Sequence, residues 1–253
     1  MKHPSQQDTG GGPRGHGFAR FWKVFMTDSM HLLGAGALAT ASFLPFALCL
    51  LIAVNSHSLL PLVVGGIVGG MLAAPQLCGV ADTVLRATRE DPNAWWVMYR
   101  RAWKRNAKAT LLPGAVFGLV FGLQVFIFAQ ADRVQLDLFL LIFMLVGAAL
   151  TLAIVSWLLP QMALMDLPFS RALLNSLLLC VRYPLRTLGA ALVALAYFGC
   201  ILLAFPYSLV IFLLLNFWFP QLATTMIFYE PLNDTFHIEE SIRAMDSAHG
   251  HDR

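Results

Sequence analysis

Three Pro-Gln pairs carry the first chemically suggestive pattern in the chain: Pro75-Gln76, Pro160-Gln161 and Pro220-Gln221, each toward the end of a long apolar run. A proline within a helix removes one backbone donor and frees the carbonyl four residues earlier, here that of Met71, Ser156 and Asn216. In lipid such a carbonyl is costly unless a nearby amide or a neighbouring helix answers it. Gln76, Gln161 and Gln221 are the candidate amides. Two readings follow. In one, Pro75, Gln76, Pro160, Gln161, Pro220, Gln221 and Asn216 are hinge or cavity residues of three kinks around a shared axis. In the other, proline closes each helix and glutamine rests in the membrane interface.

A second constellation is an aromatic and basic shelf of Trp95, Trp96, Arg100, Arg101, Trp103, Lys104, Arg105 and Lys108. Trp95, Tyr99 and Trp103 recur at i, i+4 and i+8, while Arg100, Lys104 and Lys108 share another face. An indole stripe beside a basic stripe predicts a helix lying in the headgroup plane. Its cations can hold anionic lipid at about 1 kcal/mol each, or serve only as the topology signal that keeps one side of a membrane protein positive.

Other ionisable groups are sparse. Asp28 and His31 stand at i, i+3, as an acid/base pair or as interfacial residues, and Asp82 is spaced to pair with Arg86 at i+4. His249, His251 and Asp252 close the chain. Nucleotide-binding, zinc-protease and nucleophile-elbow motifs are missing. Cys49, Cys78, Cys180 and Cys200 form no CxxC pair, so neither a disulfide framework nor a zinc site is indicated. The expectation is a non-enzymatic protein with no catalytic residue, metal or cofactor.

The elements that must hold these residues follow from composition. Of 253 residues, 58% are apolar and 12% charged, against roughly 25% charged in an average soluble domain. That excludes disorder, nucleic-acid binding and an ordinary soluble enzyme. No Lys, Arg, Asp or Glu falls in 32–54, 60–81, 111–129, 138–159, 188–205 or 209–229. Each window suffices for a helix to cross a hydrocarbon core of about 30 Å. Between these six spans, 16 of the 17 basic residues fall on one side, seven of them in 82–110, which places both termini in the cytoplasm.

The expected fold class is an all-α integral membrane protein whose six transmembrane helices form three pseudo-repeated hairpins. Each hairpin is preceded by an amphipathic cytoplasmic helix: Gly17–His31, Pro92–Lys108 and Pro168–Tyr183. Asp91-Pro92 and Asp166-Leu167-Pro168 read as helix starts. Residues 1–17 read as a flexible polar arm without the apolar core of a signal peptide. Residues 18–229 form the transmembrane domain, and 230–253 a cytoplasmic tail with a short amphipathic helix around Ile238, Ile242 and Met245. Gly65/Gly69 and Gly66/Gly70 form overlapping GxxxG pairs, and Gly114, Gly118 and Gly122 continue the spacing. They predict close packing of spans two and three, with self-association as the alternative.

Residues 75–91 (PQLCGVADTVLRATRED) followed by Trp95–Asn106 resemble the YesL-like family of bacterial membrane proteins. The later runs 158–167 (LLPQMALMDL), 171–176 (RALLNS) and 182–188 (RYPLRTL) fit its pattern more closely. The resemblance implies a multi-pass protein of the bacterial cytoplasmic (inner) membrane. It also implies an accessory of carbohydrate uptake, because members accompany carbohydrate-uptake and glycan-degradation systems. It supplies no binding residues. The expected partners are membrane lipids and a carbohydrate transporter or other membrane protein, with no nucleic acid. The alternative function is binding of anionic lipid on the shelf, and a third reading is a lipid-acting membrane enzyme.

Overall fold

The computed structural model describes residues 18–89, 95–131, 137–165 and 167–237. They form eight helices and, among the described residues, no strand: α1 (Phe18–Ser56), α2 (Leu59–Arg89), α3 (Trp95–Ala129), α4 (Leu138–Leu164), α5 (Phe169–Arg182), α6 (Pro184–Leu203), α7 (Ser208–Leu215) and α8 (Trp218–Phe236). Five of them are long and apolar enough to cross a membrane, and α7 with α8, bent by 57° at the break between them, makes a sixth when the pair is taken as one span. The chain is an all-helical, multi-pass membrane protein.

The helices differ from the expected hairpin units in two places. α1 has 39 residues and α3 has 35, about 58 and 52 Å at 1.5 Å per residue. The amphipathic segments predicted at Gly17–His31 and Pro92–Lys108 are therefore the first halves of continuous helices where they are described. Only the third, α5, is a separate helix, with Tyr183 shared between its end and the start of α6 and Pro184 at the first position of α6. Its N-cap is Pro168, which contributes no side-chain bond. The expected caps at Asp91 and Asp166 lie outside the described residues, as do the 1–17 arm and the tail helix around Ile238, Ile242 and Met245. α8 runs on to Phe236, past the expected domain end at 229. An unanticipated cap appears at α4, where Asp137 Oδ1 accepts from the Leu140 N–H at 2.7 Å.

Close packing begins in the glycine face of α2. A Cβ added at Gly70 would lie 2.0 Å from the Gly114 carbonyl, and one at Gly118 would lie 2.3 Å from the Gly66 carbonyl. Backbone thus meets backbone between α2 and α3, where any side chain would force the helices apart. The second GxxxG pair serves another partner: Gly65 and Gly69 lie against Cys49 and Phe46 of α1. Both faces are consumed within one chain.

The core lies toward the end of the bundle that carries the basic residues. Val24, Leu32, Val80, Val84, Tyr99, Trp218 and Leu222 form one buried cluster. A second holds Cys78, Leu85, Leu158, Met162, Ala172 and Tyr229, and a third is built on Trp157 and Phe228, whose rings stack 3.7 Å apart. Burial is nearly continuous over 78–85 and 156–163. The other half of α4 presents Phe139 and Phe143 outward, as α7 does Val210 and Leu213. Water excludes such surface and lipid accepts it.

Candidate functional site

The break in the sixth span is built from the residues flagged at Pro220. It lies at Asn216, which takes φ 25° and ψ −138°, and not at the proline itself. Pro220 has no N–H for the Asn216 carbonyl, and the Tyr197 hydroxyl of α6 donates to that carbonyl at 2.7 Å. The Asn216 side chain turns back on its own chain, Oδ1 accepting from the Trp218 N–H at 3.2 Å. The indole N–H of Trp218 donates to the Leu214 carbonyl at 3.1 Å. Asn216 is 1% exposed, and its Nδ2 has no partner among the described residues. On its other side stands Gly36 of α1, where an added Cβ would lie 1.6 Å from Asn216 Oδ1. Phe43, Phe198 and Phe212 ring the neighbouring Phe217 at 5.3 to 6.2 Å between centroids.

The helices bearing the three Pro-Gln pairs do meet, since α2, α4 and α8 contact one another. Leu77 packs beside Leu222 in one cluster and beside Leu159 and Met162 in another. Pro75, Pro160 and Pro220 are buried. The amides, however, bond to three different elements. Gln76 Oε1 accepts from the Tyr99 hydroxyl of α3 at 2.5 Å. Gln161 Nε2 donates to the Ser176 hydroxyl of α5 and to the Trp157 carbonyl, both at 3.0 Å. Gln221 Nε2 donates to Thr225 Oγ1 of its own helix at 3.4 Å. Of the three freed carbonyls, that of Asn216 is answered by a tyrosine from a neighbouring helix, and its own Gln221 is turned elsewhere.

A fourth proline obeys the same arithmetic. Pro231, inside α8, frees the carbonyl of Ile227. Arg186 Nη1 donates to it at 3.3 Å, while Nη2 pairs with Glu230 Oε2 at 2.8 Å. Applying the i−4 count to Pro231 would have pointed to Ile227 from sequence, though not to Arg186. Two further arginines bond near helix C-termini, where backbone carbonyls lack intrahelical donors. Arg20 donates through Nε and Nη2 to the Thr88 carbonyl of α2 at 2.9 and 2.6 Å, with its guanidinium 4.5 Å from the Tyr229 ring centroid. Arg105 Nη2 donates to the Ala163 carbonyl of α4.

The shelf on α3 divides into two faces. Its aromatic stripe, expected in the headgroup plane, packs onto protein instead, because α3 continues into its span and α1 and α2 cover that side. Tyr99 is 3% exposed, and Trp95 lies against Gly34 and stacks with His31 of α1 at 6.1 Å. Trp103 is half-buried and Trp96 is half exposed. The other face is open: Arg100, Arg101, Lys104 and Lys108 are exposed. A shallow depression of about 550 Å³ on this face is lined by Val97, Arg100, Arg101, Lys104 and Arg105.

The remaining ionisable groups have local roles. Asp82, 2% exposed, pairs with Arg86 at 2.8 Å as its spacing predicts. Asp28 and His31 are 3.8 Å apart on a largely open face. Gln124 Nε2 donates to Thr151 Oγ1 at 3.1 Å, and Trp157 Nε1 to Thr187 Oγ1 at 3.1 Å. Burial raises the Cys180 thiol above its ordinary range, opposed by a bond to Thr187. Among the described residues no group of His, Cys, Asp and Glu is arranged to hold a metal ion; His249, His251 and Asp252 lie outside them. Comparisons of the chain with protein-family models, curated proteins and solved structures find no match.

Proposed function

We propose that the chain is a YesL-like protein of the bacterial cytoplasmic membrane, with its basic end and both termini in the cytoplasm. Its role is that of a non-enzymatic accessory to carbohydrate uptake. The observation that carries the accessory role is how the helix interruptions are closed. Tyr197 answers Asn216, Arg186 answers Ile227, and Arg20 and Arg105 bond to carbonyls near the ends of α2 and α4. A carrier built on discontinuous helices keeps such backbone groups for its substrate or coupling ion. Here these four carbonyls join neighbouring helices, as suits a scaffold that holds one shape beside a working partner. The family resemblance supplies the carbohydrate context, and the distribution of basic residues supplies the orientation.

The test is affinity purification of the full-length protein from native membranes, followed by quantitative mass spectrometry of cells grown with and without an inducing oligosaccharide. Enrichment of carbohydrate-importer subunits, stronger in induced cells, is the expected result. Recovery of no transporter component in either condition overturns the accessory reading.

A further inference from the structure

We propose that the depression on α3 lined by Val97, Arg100, Arg101, Lys104 and Arg105 is a binding site for a phosphoryl anion, a phosphodiester or a phosphate group. The proposal does not rest on the carbohydrate reading, because it follows from how the basic residues are used. One set is committed to the fold: Arg20 to Thr88 and Tyr229, Arg86 to Asp82, Arg105 to Ala163, and Arg186 to Ile227 and Glu230. Outside that set, α3 alone carries four neighbouring cations: Arg100, Arg101, Lys104 and Lys108. These are exposed and make no hydrogen bond or ion pair among the described residues.

A topology signal requires only that cations stay on one side of the membrane. It does not require them to gather on one helical face. Arg100, Arg101, Lys104 and Arg105 share one face of α3 and line a shallow, open depression there, and no carboxylate among the described residues lines it with them. Arg100 with Lys104, and Arg101 with Arg105, are like-charged neighbours one helical turn apart, which repel without an intervening anion. Arg105 is tied to the Ala163 carbonyl, so one wall is held in place while the other three cations are free to close on a ligand. Guanidinium groups bind phosphoryl oxygens in bidentate fashion, and the ammonium of Lys104 adds a point charge.

The placement suits two sources of this chemistry. From Arg100 to Lys108 the cationic stripe rises about 12 Å along α3, and Lys108 stands three residues before the charge-free stretch that begins at Leu111. The Lys108 end therefore stands next to the apolar span and the Arg100 end projects away from it, so a lipid phosphodiester and a soluble phosphate both have access.

The experiment uses the full-length protein in nanodiscs. One arm compares neutral phosphatidylcholine discs with discs containing phosphatidylglycerol and reads the lipid retained by native mass spectrometry. The other arm titrates pyrophosphate into neutral discs by calorimetry. Both are repeated with R100Q/R101Q/K104Q, with the double variant R100Q/R101Q, with the single variant R101Q, and with R171Q/R182Q on α5 as a control that removes the same two charges as R100Q/R101Q outside the depression. Retention of phosphatidylglycerol alone assigns a lipid headgroup, and pyrophosphate binding alone assigns a soluble phosphate. In either case affinity should fall at least tenfold in the triple variant, measurably in R101Q, and not in the control. No binding in either arm by the unaltered protein, or an equal loss in R171Q/R182Q, overturns the site.

Discussion

The hydroxyl of Tyr197 and the backbone carbonyl of Asn216 lie 2.7 Å apart, and that carbonyl is the one Pro220 cannot serve. Asn216 stands between the end of α7 and the start of α8, where neither helix supplies a donor, and a tyrosine 19 residues earlier answers its carbonyl. Tyr197→Phe leaves the carbonyl unanswered in a largely apolar setting, at an expected cost of about 1–3 kcal/mol. Thermal unfolding in detergent measures it. The exposed Tyr207 supplies the control, and a loss in Tyr197→Phe no larger than that in Tyr207→Phe would show that the bond contributes nothing.

Two kinds of glycine should respond with opposite sign. Gly70→Ala drives a methyl group to 2.0 Å from the Gly114 carbonyl, and backbone does not yield cheaply. Overpacking of this kind costs roughly 1–3 kcal/mol or more. An alanine at Gly189, inside α6, would meet nothing within 4 Å. Gly189→Ala should therefore be neutral or stabilising by about 0.5–1 kcal/mol through helix propensity. Melting temperatures of the two variants in the same detergent decide the matter, and similar losses would contradict the α2–α3 contact.

Arg186 should matter more than its ion-pair partner. Glu230→Gln removes an exposed charge pair, worth about 0–1 kcal/mol. Arg186→Gln also takes the donor from the Ile227 carbonyl, so its loss should exceed that of Glu230→Gln. Adding Pro231→Ala, which restores a donor within α8, should narrow the difference. Denaturation of the four proteins in one detergent checks the order, and equal effects of Arg186→Gln and Glu230→Gln would remove the carbonyl contact from the account.

The proposed orientation gives a pattern of sides. Reporter fusions at Ser58, Asp132 and Ser208 should report outside, and fusions at Asp91, Asp166 and the C-terminus inside. Paired phosphatase and fluorescent-protein reporters read this directly, and one exchanged pair would invalidate the six-span order.

Much of the fold was legible because partitioning is a local property. A window of about twenty residues enters the bilayer on its summed hydropathy, so the spans could be read without knowing any contact. The i, i+4 pairing of Asp82 with Arg86 was legible for the same reason, since helix geometry alone brings the two together. The shelf was half legible. Helical periodicity separated Trp95 and Tyr99 from Arg100 and Lys104, but periodicity cannot say whether an aromatic face meets lipid or another helix. Both that face and Gln76 became interpretable only when the Tyr99 hydroxyl was found on the Gln76 amide.

By itself, then, the sequence determined an all-helical membrane protein and the places where prolines would strip donors from carbonyls. These depend on residue type and on spacings of a few residues. The tertiary structure decided which groups answer the carbonyls, that the sixth span breaks at Asn216 against Gly36, and which cations stay free on α3. Those outcomes rest on contacts such as Arg20 with Thr88 and Arg105 with Ala163, 68 and 58 residues apart. Such pairs are set by how whole helices pack, and no local pattern in the chain encodes them.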